Sequence, residues 1–206
     1  MYRILSASKD AYITDKIVNN SFRAKDANMG QAGTLDLFKI YNETSITGSN
    51  EQIELSRLLI KFDLTPVSTM QSNAKIDIND SSFKCFLKLH DVYGGQTTPS
   101  NFKIIAFPLA QKFDEGNGYD VAQYEDIDVV NFITASYTDG DPVLWKRQGA
   151  LKSGSLGFHG TSANSIDVIV SGTISGPSGD DLPTTLCAEQ FFLDGDEDLY
   201  LDMTTF

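Results

Sequence analysis

The residues of this chain that could do chemistry are mostly acidic and aromatic. Asp194-Gly195-Asp196-Glu197-Asp198 sets Asp194, Asp196 and Asp198 at alternate positions. A hard cation such as calcium takes clustered oxygen ligands, so these three are the candidate metal ligands. Counted from Asp194, the sixth position is Leu199 and the twelfth Thr205, where an EF-hand needs glycine and glutamate. The alternative is an acidic hairpin turn. Asp114 and Glu115, just ahead of Gly116-Asn117-Gly118, form a carboxylate pair of the kind glycoside hydrolysis uses. With 28 acidic residues in the chain, such neighbours also arise by chance. Acid-base chemistry through histidine has only His90 and His159 to draw on. The phosphate loop Gly-x-x-x-x-Gly-Lys and the helix motif His-Glu-x-x-His are missing. Around Ser155 a nucleophile elbow would need glycine where Ser153 stands. No catalytic residue is assigned, and a non-enzyme is expected.

Aromatic side chains offer a second kind of chemistry, stacking on a sugar or a partner protein. Tyr119, Tyr124, Tyr137 and Trp145 fall in a segment, residues 113–154, that mixes rings, glycines and charges. This segment is the candidate contact loop. Trp145 has an alternative role, plugging the end of an apolar core.

The elements that must position these residues read as strands. In Arg57-Leu58-Leu59-Ile60-Lys61-Phe62-Asp63-Leu64, the residues Leu58, Ile60, Phe62 and Leu64 share one face by two-residue alternation. Phe83, Cys85, Leu87 and Leu89 alternate with Lys84, Phe86, Lys88 and His90, and Cys85 reads as a buried free thiol. Residues 102–107 are apolar on both sides, as a central strand would be. Ile166, Val168, Val170 and Ile174 alternate with Asp167, Ser171 and Thr173, and Leu199, Leu201 and Met203 share a face near the end. Turn clusters punctuate the runs, among them Asp139-Gly140-Asp141-Pro142. One short helix is expected over residues 126–135, where Val129, Val130, Phe132 and Ile133 form an apolar face behind an Asp cap. The pattern predicts an all-β fold: an antiparallel β-sandwich with long loops and at most one or two short helices, in one domain spanning residues 1–206.

Composition bounds what such a fold can meet. At 206 residues and 41% apolar content the chain can bury a core. Lys and Arg number 16 against 28 Asp and Glu, a net charge of -12 that repels phosphate, so nucleic acid is not an expected partner. Apolar runs such as Leu58-Leu59-Ile60 are too short for a bilayer, and no membrane association is expected. Met1-Tyr2-Arg3-Ile4-Leu5 gives way at once to polar residues, unlike a secretory signal. Cys85 and Cys187 are too few for a disulfide framework.

Several segments, in order, resemble one family. Asp10-Ala11-Tyr12-Ile13 is similar to a first strand of the type Asp-x-Tyr-aliphatic. Asn28-Met29-Gly30 resembles an Asn-aromatic-Gly turn, with Met29 at the aromatic position. Arg57-Leu58-Leu59-Ile60-Lys61-Phe62-Asp63-Leu64 resembles the Arg-x-Leu-Leu-Lys/Arg-Phe-Asp-Leu strand, and Phe113-Asp114-Glu115-Gly116 a Trp-x-Glu-Gly step. Val143-Leu144-Trp145 and Leu199-Tyr200-Leu201-Asp202-Met203-Thr204 resemble later strands. Together they resemble the DNRLRE domain, a jelly-roll-like β-sandwich related to carbohydrate-binding modules. Residues 115–132 are also similar to versions of it in structural proteins of tailed phages. The resemblance implies structural roles for Asn28, Gly30, Arg57, Asp63, Glu115 and Gly116. It implies a non-enzymatic virion protein of the tail, baseplate, neck or head surface, docked on other virion proteins in a symmetric multi-copy assembly. The alternative is a carbohydrate-binding module for a host or environmental polysaccharide. The family's domain continues past its last matched strand, so the chain is expected to be an N-terminal piece of a longer protein or to be completed by a partner.

Overall fold

The computed structural model describes residues 2–41, 52–92, 100–121, 128–150, 167–168, 171–175, 181–185, 187–195 and 197–205. Strands β1 (Ala7–Thr14), β2 (Ile17–Val18), β3 (Phe22–Arg23), β4 (Lys39–Tyr41) and β5 (Gln52–Phe62) come first. Helix α1 (Thr65–Ser72), β6 (Phe86–Leu89) and β7 (Phe102–Ala106) follow, then β8 (Thr134–Thr138) and β9 (Asp141–Leu144). The last strands are β10 (Ser171–Ser175), β11 (Asp181–Thr185), β12 (Ala188–Phe192) and β13 (Leu199–Asp202). The described chain is thus mostly strand, in several small antiparallel sheets with one helix. Where the sequence reads as one domain, the contacts gather in two compact units. The first is Met1–Leu64 with Gln111–Leu151 and Ser165–Asp167; the second is Thr65–Ala110 with Lys152–Asn164 and Val168–Phe206.

In the first unit β5 is the middle strand of a sheet ordered β1-β5-β4. Its pairing with β1 sets Tyr12 opposite Leu58 and Ile13 opposite Arg57. Ala11, Tyr12, Ile13 and Thr14 are all buried, so this half of β1 is covered on both faces and alternation disappears from its burial. Tyr12 joins Ala24, Ala27 and Met29 in a tight core, with Leu58 and Leu35 packed against it. Thr14 is tolerated there because its hydroxyl donates to the Leu55 carbonyl at 2.8 Å. Leu58, Ile60 and Phe62 alternate along β5 as expected and are half-buried. Leu59, not its neighbours, is the most buried of the run, and Leu64 lies past the strand end and is exposed.

Strands β8 and β9 form a hairpin around Asp139-Gly140, with φ of 55° and 95° at these two residues. Two left-handed residues make the turn whose twist matches the strands it joins. The helix expected over residues 126–135 is another correction. Residues 126 and 127 lie outside the described residues, and residues 128–135 contain no helix. The Asn131 carboxamide oxygen instead accepts from the backbone N–H groups of Ile133 and Thr134, both at 2.7 Å, and turns the chain into β8. A side chain that offers the backbone such a partner competes with helix.

In the second unit β7 pairs with β12 and β6 with β13. Inward residues of both pairs form one cluster of Ala188, Phe192, Leu199 and Leu201, flanked by Leu87, Leu89, Phe102 and Ile104. Phe102 and Phe192 are cross-strand partners whose rings stack 4.8 Å apart. Gln190 ties the two pairs together. Its amide Nε2–H donates to the Asp198 carbonyl at 3.0 Å and its oxygen accepts from Tyr200 N–H at 2.6 Å. The alternation expected over residues 83–90 holds for Leu87 and Leu89, but Cys85 is exposed, not buried. Both Cys85 and Cys187 are free. Of the region expected to alternate from Ile166 to Ile174, Ile166 and Val170 lie outside the described residues, Val168 bridges to Leu109, and β10 pairs with β11.

A methyl group on Gly140 would meet nothing within 4 Å, so its substitution tests the backbone conformation alone. Gly140→Ala is expected to lower stability by about 1 kcal/mol. Urea denaturation followed by the fluorescence of the single tryptophan measures it.

Candidate functional site

Two sequence segments about ninety residues apart, Asn28-Met29-Gly30 and Glu115-Gly116-Asn117-Gly118, meet in the first unit. Their meeting point is the Asn28 side chain, which is 1% exposed. Its amide nitrogen donates to the Glu115 carbonyl at 2.7 Å and to the Val130 carbonyl at 2.8 Å. Its oxygen accepts from Gly118 N–H at 2.7 Å and Gly30 N–H at 3.3 Å. Both donors and both lone pairs are therefore used, and three loop segments are held by one side chain.

The glycines are required by this closeness. A Cβ on Gly30 would fall on the Glu115 carbonyl, and one on Gly118 would fall on the Asn28 carbonyl. Gly116 has φ of 78° and lies against the Asn28 amide. Met29, between Asn28 and Gly30, is fully buried in the core and anchors the turn from below.

Three further polar side chains brace the adjoining loops. Trp145 is 4% exposed, and its Nε1–H donates to the Asn131 carbonyl at 2.9 Å. Asp167 is fully buried, with its carboxylate accepting from Lys146 N–H at 2.7 Å and Arg147 N–H at 2.9 Å. Arg57 donates to the Gly149 carbonyl. Burial pushes the Arg57 guanidinium below its ordinary value, and the Asp15 carboxylate partly offsets this. Asp15 itself accepts from Leu55 N–H at 2.8 Å and pairs with Arg23 at 3.0 Å.

Beside the Asn28 clamp an open pocket of about 300 Å³ is lined by Lys9, Asp10, Gly30, Gln31 and Glu115, among others. Glu115 Oε1 accepts from Asp10 N–H at 2.6 Å. Burial, and then the neighbouring Glu115 charge, raise the Asp10 carboxyl above its ordinary value. Asp114 points elsewhere, to Lys9 Nζ at 3.4 Å and Tyr137 N–H at 3.2 Å. The Asp114–Glu115 pair is thus divided between different partners.

The remaining sequence candidates scatter. Tyr119 is 65% exposed and Tyr137 40%, while Tyr124 lies outside the described residues. Trp145 is removed as a surface platform, because it is buried and its one donor is bonded inside. Asp63 lies just past β5 and is exposed. Of the three candidate metal ligands, Asp196 lies outside the described residues. Asp198 is bound to His90 at 3.0 Å, Lys88 at 3.6 Å and the Asp91 N–H at 3.1 Å. The Asp91 hydrogen bond, helped by His90 and Lys88, holds its carboxyl below the ordinary range. Among the described residues no group of three His, Cys, Asp or Glu side chains is placed to hold a metal ion. Sequence reading picked out Gly118 as a turn glycine but missed Asn131 and Asp167. An Asn inside an apolar run marked Asn131, whereas Asp167 had the outward position of an alternating strand and gave no signal. No protein-family model, curated protein or solved structure matches the chain.

Asn28→Ala strands two buried N–H groups and two carbonyls, and is expected to cost about 3–5 kcal/mol in chemical denaturation. Asn28→Asp keeps an acceptor but turns a second oxygen toward two carbonyls. Its folded-state pKa is raised, so the variant is most stable at low pH and loses stability as pH rises through that pKa.

Glu115→Gln keeps the acceptor for Asp10 N–H and removes the charge. The Asp10 pKa should fall part of the way to its ordinary value, read by carboxyl-carbon NMR titration, with the share due to burial remaining. The stability lost as pH rises through the raised Asp10 pKa should shrink in the same variant.

Proposed function

We propose that this chain is a non-enzymatic structural protein of a phage virion, docking on other virion proteins through a jelly-roll-like β-sandwich of the DNRLRE type. The observation that carries the reading is the Asn28 clamp. Asn28, Gly30, Glu115 and Gly116, which the family resemblance singles out, meet at one point in the first unit. The Asn28 side chain and its glycines are spent on holding loop backbone, which favours a rigid surface over a site that moves reactants. Among the described residues no helix is long and apolar enough to cross a membrane.

Proteomics of density-banded, salt-washed particles from the phage that encodes the chain is expected to find it at a fixed copy number relative to the tail or head proteins. Its absence from washed particles overturns the reading. In the carbohydrate-binding alternative, Tyr119 and Tyr137 are the rings left exposed. Specific micromolar binding on a glycan array would replace the virion reading with that one.

A further inference from the structure

The outer face of the β6–β13 pair is divided by charge. Alternation sends Leu87, Leu89, Leu199 and Leu201 inward. It leaves Phe86 and Lys88 outward on β6, with His90 just past its end, and Tyr200 and Asp202 outward on β13, with Asp198 just before its start. The register sets Phe86 opposite Asp202 and Lys88 opposite Tyr200. His90 reaches Asp198 at 3.0 Å. The first strand therefore carries the Lys88 cation, with His90 beyond it, and its partner the carboxylates. Across the diagonal the Phe86 and Tyr200 rings stack, centroids 4.8 Å apart and planes at 16°, yet the residues stay 45% and 54% exposed.

We propose that this face docks on the same face of a second copy of the chain, about a two-fold axis running parallel to the strands in the plane of contact. That axis lays the cationic strand of one copy over the acidic strand of the other. It brings Lys88 over the partner copy's Tyr200 ring, flanked by Asp198 and Asp202, and brings the two ring pairs together at the centre. An axis at right angles to the strands sets acid over acid and cation over cation, which costs free energy. A face with one cationic and one acidic edge complements itself more fully than it complements a uniformly charged partner. Each strand has 4 residues. The contact is smaller than the roughly 800 Å² per partner of a standard interface, so the pairing is weak unless an assembly holds the copies close. The inference does not depend on where the protein works.

Sedimentation equilibrium of the whole chain tests it. A monomer–dimer equilibrium is expected, with Kd on the order of 0.1 mM. Tyr200→Thr, Lys88→Glu and Asp202→Lys should each weaken it at least about tenfold. The symmetry makes a sharper demand. An equimolar mixture of the Lys88→Glu and Asp202→Lys chains regains one native and one reversed charge pair, so it should dimerise where neither variant does alone. Circular dichroism of each variant checks that the strands survive. A chain that stays monomeric up to about 1 mM overturns the proposal. So does dimerisation unaffected by all three substitutions, or a mixture that associates no better than its components.

Discussion

Backbone N–H and C=O groups that leave water must find partners, and loops have no ladder to supply them. In the first unit this demand falls on one carboxamide. Asn28 has two donors and one oxygen with two lone pairs, and it gives them to Glu115, Val130, Gly30 and Gly118. A carboxamide resembles a peptide group, so it can stand in for a missing strand. Serine cannot supply two donors, and aspartate would set charge against carbonyl oxygens. The glycines follow from the same requirement, because the loops must come close enough for one short side chain to reach all of them.

The same device recurs wherever the chain leaves its ladders. Asn131 accepts from two N–H groups, donates to the Val129 carbonyl at 3.3 Å and starts β8. Gln190 donates to one carbonyl and accepts from one N–H of the strand region beside it, joining two strand pairs that share no ladder. Asp167 does it as a carboxylate: with no donors of its own, among the described residues it meets the N–H groups of Lys146 and Arg147. The choice of amide or acid follows what each loop presents. Mixed donors and acceptors take Asn or Gln; N–H groups alone take Asp.

This explains what could be read from the sequence and what could not. The 2-residue alternation at Leu87-Leu89 and Leu199-Leu201, and the Asp139-Gly140 turn, depend on neighbours along the chain, so they were legible. Helix α1 has no apolar stripe and no buried residue. Its hydroxyls at Thr69 and Ser72 bond back one turn, and Ala74 closes the end with φ of 53°. None of this makes the pattern that marks a helix. The segment after Asp128 had such a pattern but is shaped by Asn131. Asn28 and Gly116 were legible as turn residues, yet their convergence was not, because contacts across about ninety residues leave no periodicity in either segment.

The fate of the acidic residues bears on function. Asp167 accepts from two backbone N–H groups, Asp198 serves a backbone N–H, Lys88 and His90, and Asp114 and Glu115 face different partners. The exposed material is of another kind: rings and alternating charges on sheet faces, such as Phe86, Tyr200, Lys88 and Asp202. Groups tied to their own backbone give rigidity, and exposed rings beside charges give contact area with built-in orientation. This division of labour is the physical support for the docking role proposed above.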